Sequence, residues 1–272
     1  MQQENKSWEW HEGNGPVIGI ALHAGHEIRR DLQPILAIDE ETRLREEDPY
    51  TDRWARCCDA WVVVNRSRFE LDLNRPQDQA IYCTPDQSWG LKVWSSAYPA
   101  QLFAKICNEH TRFYHELDNY LERLARRFGA FVILDMHSYN HRREGPNTAF
   151  GNPAFNPGLN VGTGSLDRGY WEPLIDGFIE DMRGSNYRGK PMDVRENIKF
   201  RGRYLAEHVH RKFPGVGCVL ALEFKKTFMD EWTGIPDMDA VTEIESALRF
   251  SIAGLQNSLI THYGCIRHKN VG

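Results

Sequence analysis

No run in this chain approaches the ~20 consecutive apolar residues that a membrane-spanning helix needs, so a helical span is excluded. The first 16 residues, MQQENKSWEWHEGNGP, contain no apolar segment of the secretory type, and export is not expected. Charge of one sign is also lacking. The 33 Lys and Arg against 38 Asp and Glu leave −5, which recruits neither nucleic acid nor an acidic membrane. The basic pairs Arg142–Arg143 and Lys225–Lys226 are too short to alter that. Cysteine is sparse: the six (57, 58, 83, 107, 218 and 265) show no C-x-x-C spacing, and adjacent Cys57 and Cys58 do not readily bridge. Reduced thiols in a cytoplasmic protein are the simplest expectation. Internal repeats and low-complexity tracts are absent too. What is left is a globular composition, 41% hydrophobic and 26% charged over 272 residues, enough for one sizeable core. Residues 1–16 read as an N-terminal extension, anchored by Trp8 and Trp10, and residues 17–272 as a single domain.

The pattern is organised around residues 133–140, ILDMHSYN. Apolar and β-branched residues run into an acid, and His137 follows where the strand is expected to stop, as in a buried parallel strand. Residues 17–22 end alike on His23, and residues 218–222 on Glu223. A VVV run makes 61–64 another strand, and 68–71 a short extended piece. Helices are expected from Asp48–Pro49 to about Cys58, over 170–183, over 204–213 and over 238–262. The longest covers 99–128, where Leu102, Phe103, Ile106, Phe113, Leu117, Leu121, Leu124 and Phe128 recur every three or four residues before Gly129. Residues 77–97 read as a lid or small hairpin, and 141–168 as a long functional loop. This alternation predicts an α/β fold, a three-layer α/β/α sandwich on a mostly parallel sheet.

Open α/β sheets place their sites at the carboxyl ends of strands. Three such ends deliver His23, His137 and Glu223, which suggests a metal held by two imidazoles with a carboxylate base beside it. A third protein ligand is needed. His26 and Glu27 follow His23 closely, and Asp48 and Asp52 open the next helix; spacing leaves all four in play. Glu223, leaving an apolar run, has the partly desolvated setting of a general base, unless Lys225 or Lys226 pairs with it. Pro76 ends regular structure and so places Asn74 and Arg75 on a loop, where Arg75 offers a fork for a carboxylate or a carbonyl.

Together these stretches resemble the N-formylglutamate amidohydrolase family, within the wider zinc carboxypeptidase-like superfamily. The resemblance is carried by His23-Ala24-Gly25, DPYTDRWA from Asp48, SRFELDLNRP from Ser67, Asp135-Met136-His137-Ser138, FRGRYLAEH from Phe200, and LALEF from Leu220. They occur in family order over about residues 17–235. D-L-N-R-P with D-M-H-S is the specific part. The resemblance implies a zinc carboxypeptidase or phosphorylase/hydrolase-like fold and one zinc (or another divalent ion) per chain, held by His23, His137 and an acid that matches Asp52 better than Asp48. It implies Glu223 as general base, Arg75 with Asn74 in substrate or oxyanion binding, and roles at the substrate for His208 and for His115 of the Tyr114-His115 pair. The chain departs from the family at Arg203, where a second glycine is common, and across 77–97 and 140–168.

The expected reaction is metal-assisted hydrolysis of a small N-acyl amino acid, N-formyl-L-glutamate above all, with Arg142 or Arg143 reading a second carboxylate. The competing expectations are another acyl-amino acid or small peptide on the same scaffold, and a non-catalytic ligand-binding relative.

Overall fold

Short, uniformly apolar runs cannot bury themselves as helices, and in this chain they form the interior of a sheet covered on both faces. The computed structural model describes residues 6–265. In chain order the elements are β1 (Trp8–His11), β2 (Val17–Ala21), α1 (Glu40–Glu46), α2 (Thr51–Ala55), β3 (Ala60–Val64), α3 (Ala100–Phe128), β4 (Phe131–Tyr139), β5 (Leu159–Gly162), α4 (Glu172–Gly184), the hairpin β6 (Asn186–Tyr187) and β7 (Lys190–Pro191), β8 (Val194–Glu196), α5 (Tyr204–Lys212), β9 (Gly217–Lys225) and α6 (Met238–Tyr263). The main sheet has seven strands in the order β1-β3-β2-β4-β9-β5-β8. β3, β2, β4 and β9 run parallel, whereas β1 and the β5–β8 pair run against them. The expected mostly parallel α/β sheet is present, with antiparallel strands at both edges.

Helices α2, α4 and α6 pack together on one face. There Trp54 of α2 lies against Phe224 of β9 and donates to the Val241 carbonyl of α6. Helices α3 and α5 cover the other face, joined by Tyr114 against His208. Two glycines permit close approaches. A Cβ on Gly19 would stand 2.2 Å from the Ala55 carbonyl oxygen, so α2 rests directly on β2; one on Gly25 would stand 2.2 Å from Asn65, where the loop after His23 folds against the end of β3.

The structure differs from the sequence pattern in instructive places. Trp8–His11, expected in an extension, pair with β3 as an edge strand, with Trp8 buried. Both central strands run past their expected ends. β4 continues through His137 to Tyr139 and β9 through Glu223 to Lys225, because each supplies the other's ladder partners. Helix α2 starts only at Thr51, since Tyr50 takes a left-handed φ of +70°. Residues 68–70 form a turn, their backbone folded onto the Ser67 carbonyl, in place of an extended piece. The expected long loop contains β5, and 77–97 holds two 3-10 turns with no hairpin.

Candidate functional site

The parallel register of β4 and β9 sets His137 directly beside Glu223. Side chains of paired residues leave a sheet on the same face, so both point toward the α3 and α5 side. His23 follows the end of β2, and its carbonyl accepts a hydrogen bond from the Asp48 amide at 2.9 Å. That bond draws the segment before α2 across the strand ends and puts Asp48 between the two imidazoles.

Asp48 Oδ2 lies 3.3 Å from His23 Nδ1 and 3.2 Å from His137 Nδ1. The three ligand atoms fall within 4.8 Å of one another, and all three residues are buried. Ligand atoms bound tetrahedrally to a small divalent ion at ~2.0–2.1 Å stand roughly 3.3 Å apart. His23 Nδ1 is buried without a hydrogen-bond partner, the condition of a nitrogen whose lone pair awaits an ion. These residues fit a metal. Burial disfavours ionised Asp48, but His137 and His23 outweigh it and hold the carboxyl far below the usual range. Burial likewise opposes protonation of His137, and Asp135 and Asp48 override it, raising its pKa well above the ordinary value.

The outer nitrogens are tied to acids. His23 Nε2 meets Asp72 Oδ1 at 2.7 Å and His137 Nε2 meets Asp135 Oδ1 at 2.8 Å. Carboxylates in this position fix the tautomer that leaves Nδ1 free for an ion. Asp72 is itself held by Arg68 Nη2 at 3.1 Å, by the Tyr82 hydroxyl and by the Asn74 amide at 2.9 Å.

Glu223 lies half-buried across a narrow cleft of about 80 Å³ that also meets His23, Asp48 and His137. Desolvation by burial pushes its pKa up to about 8, against the lowering effect of His137. The competing ion pair is absent: Lys225 Nζ donates to the Asn156 carbonyl, and Lys226 Nζ to those of Arg45 and Glu47.

Other expected positions divide. Asp52 stands outside the cluster, one helical turn beyond Asp48 on α2; the acid that joins the two imidazoles is Asp48, because its amide is pinned to the His23 carbonyl. His26 is engaged by Glu47, and Glu27 by Arg66, so neither joins the cluster. Arg75 lines the cleft, its Nη2 donating to the Gln87 carbonyl at 2.6 Å with the guanidinium over Tyr82. Asn74 is buried, its Oδ1 accepting from the Leu205 amide at the start of α5 while Nδ2 lies 3.1 Å from His137 Nε2. Arg143 reaches the cleft, paired with Glu46 at 3.0 Å, but Arg142 turns away to Asp230 at 2.6 Å. His208 is bound to Asp118 at 2.8 Å, and His115 sits on the exposed side of α3 against Asn119. The inward residues of that helix are His110 and Tyr114, which bond the Arg75 and Leu73 carbonyls and clamp the loop carrying Asp72, Asn74 and Arg75. Asp72, Asp135, His110 and Tyr114 are the supports that sequence reasoning missed. The only signal for the acids was their place inside D-L-N-R-P and D-M-H-S.

Comparison with known proteins gives a consistent result. The profile of a family described as N-formylglutamate amidohydrolase matches residues 15–229. An N-formylglutamate deformylase of Pseudomonas putida is 26% identical over 249 residues, covering 84% of this chain and 86% of that one. Among solved structures, an N-formylglutamate amidohydrolase from Ralstonia eutropha JMP134 superposes with a TM-score of 0.72 at 16% identity, over 95% of this chain and 99% of that one. A gene product of Agrobacterium tumefaciens gives 0.66 at 14% identity, over 94% and 98%. At such identities the two structures speak for the fold.

Proposed function

The chain belongs to the N-formylglutamate amidohydrolase family, and from that premise we propose that it hydrolyses N-formyl-L-glutamate to formate and glutamate at a zinc centre held by His23, Asp48 and His137. The enzyme is a hydrolase acting on an amide. The single observation that carries the finer reading is the convergence of those three buried ligand atoms, one of them an unpartnered imidazole nitrogen, opposite Glu223. A zinc ion in such a three-ligand site keeps a position open, lowers the pKa of a water there and polarises a carbonyl.

The chain's own residues do the rest. Asp72 holds the Nε2 proton of His23, so its Nδ1 lone pair faces inward, and the Asp135 carboxylate stands 2.8 Å behind His137 Nε2. Glu223, with a pKa of about 8, is matched to proton transfer near neutrality: it removes a proton as water attacks the formyl carbon. It then delivers that proton to the amide nitrogen as the C–N bond breaks. Arg75 supplies a fixed guanidinium for the α-carboxylate or the developing oxyanion.

Elemental analysis of purified protein, coupled to glutamate release from N-formyl-L-glutamate, tests the reading. About one zinc per chain is expected, lost together with turnover in His23→Ala/His137→Ala. Protein that takes up no zinc even on addition would overturn it.

A further inference from the structure

The cleft adjoins two side chambers that share two wall residues, Asn74 and Arg203. The first, about 190 Å³, brings Lys199, Arg201 and Arg203 around Glu223 and His137. In the second, about 510 Å³, Arg75 and Arg203 are balanced by Asp86 and Glu207. Only the first chamber has an excess of cations, and their pairing differs. Lys199 Nζ donates to Asn156 Oδ1 at 2.8 Å, whereas Arg201 and Arg203 are exposed and their guanidinium groups have no partner among the described residues.

The root of Arg203 is firmly placed. It caps α5, its carbonyl accepting from the Glu207 amide at 3.0 Å. The preceding Gly202 has φ +92°, which favours glycine, and a Cβ there would crowd Ala206 at 3.3 Å. A fixed root with an unpaired guanidinium is suited to a carboxylate, which the planar fork meets with two parallel hydrogen bonds. Substrate binding would supply the missing anion.

We propose that Arg203, supported by Arg201 and Lys199, binds the side-chain carboxylate of the substrate in the smaller chamber, and so selects acidic N-acyl amino acids over their neutral isosteres. This rests on the hydrolase reading given above and assigns the selectivity within it. Arg203 is a specificity residue, two positions in the chain beyond the wall formed by Arg201.

Calorimetric binding of L-glutamate and L-glutamine to the zinc-loaded protein, in the parent, R203M and R203K, tests this without turnover. The parent should bind glutamate at least about tenfold more tightly than glutamine, R203M should bring the ratio close to one by weakening glutamate alone, and R203K should keep part of the preference. An unchanged ratio in R203M, or equal weakening of both ligands, would overturn the subsite. Turnover of N-formyl-L-glutamate and N-formyl-L-glutamine by the same proteins separates the two claims. In R203M the loss should appear in KM for the acidic substrate, with kcat near the parent's. A parent that prefers glutamate through Arg203 yet hydrolyses neither compound sinks the reaction and keeps the subsite. Hydrolysis with a preference indifferent to Arg203 sinks the subsite and keeps the reaction.

Discussion

Glu47 and Asp48 are neighbours in the chain, 1% and 2% exposed, yet their carboxylates serve opposite ends. Glu47 turns into a closed network: His26 Nδ1 and the Ser67 hydroxyl bond its two oxygens, Arg43 approaches at 3.7 Å, and its own carbonyl accepts from Lys226. Asp48 turns into an open one, where two imidazole nitrogens face its Oδ2 and one has no hydrogen-bond partner. Burial of the carboxylate and the presence of histidine do not distinguish the two clusters. A buried imidazole nitrogen without a hydrogen-bond partner does. A closed polar network fixes the chain, and an open one keeps atoms for something that binds.

This contrast can be broken from either side. The largest effect is expected at Glu223, beside the open cluster. Glu223→Gln should lower kcat by about 10²–10⁴-fold while zinc content and thermal stability hold; near-parent activity would remove Glu223 as the base. In the closed cluster, Glu47→Ala leaves Arg43 and His26 without their shared carboxylate and should cost about 2–3 kcal/mol in denaturant unfolding, with zinc still bound. Loss of zinc without loss of stability would show that the two clusters are not separate. Asp72→Asn weakens the support behind His23, and a competitive chelator should read roughly 10–100-fold poorer zinc affinity. Asp52→Ala should leave zinc content at the parent level, whereas Asp48→Ala should abolish it; the reverse pattern would restore the helix acid as ligand.

The smallest effect is one of pH. Hydrogen bonding to Glu47 raises the His26 pKa above its ordinary 6.5. The folded state therefore holds this proton more tightly than the unfolded chain. The resulting stability is complete below about pH 6.5 and is lost as pH rises through the higher folded value. Unfolding midpoints across that window should decline in the parent and flatten in His26→Asn. An identical decline in both would assign the proton elsewhere.

Much of this architecture was legible because it rests on local pattern. The period of α3, the apolar runs of β2, β4 and β9, and the residues that end them read directly. Residues 159–162 did not, since LNVG has too few residues to show a period and becomes a strand only against β9. The Tyr114-His115 pair points to His115 on α3, but the helix turns His115 outward and His110 toward the Arg75 carbonyl. Arg142 and Arg143 are adjacent, and nothing local shows that one meets Asp230 and the other the cleft.

The sequence by itself determined the fold class, the family, the two histidines and the carboxylate across from them. Strand composition and strand-end chemistry are written residue by residue, and they survive any rearrangement of loops. The third metal-capable residue and the partners of each arginine were decided only in three dimensions. One backbone hydrogen bond, from the Asp48 amide to the His23 carbonyl, brings Asp48 rather than Asp52 to the imidazoles across 24 residues of intervening chain. Such a bond depends on where two distant segments meet, and no spacing along either segment encodes it.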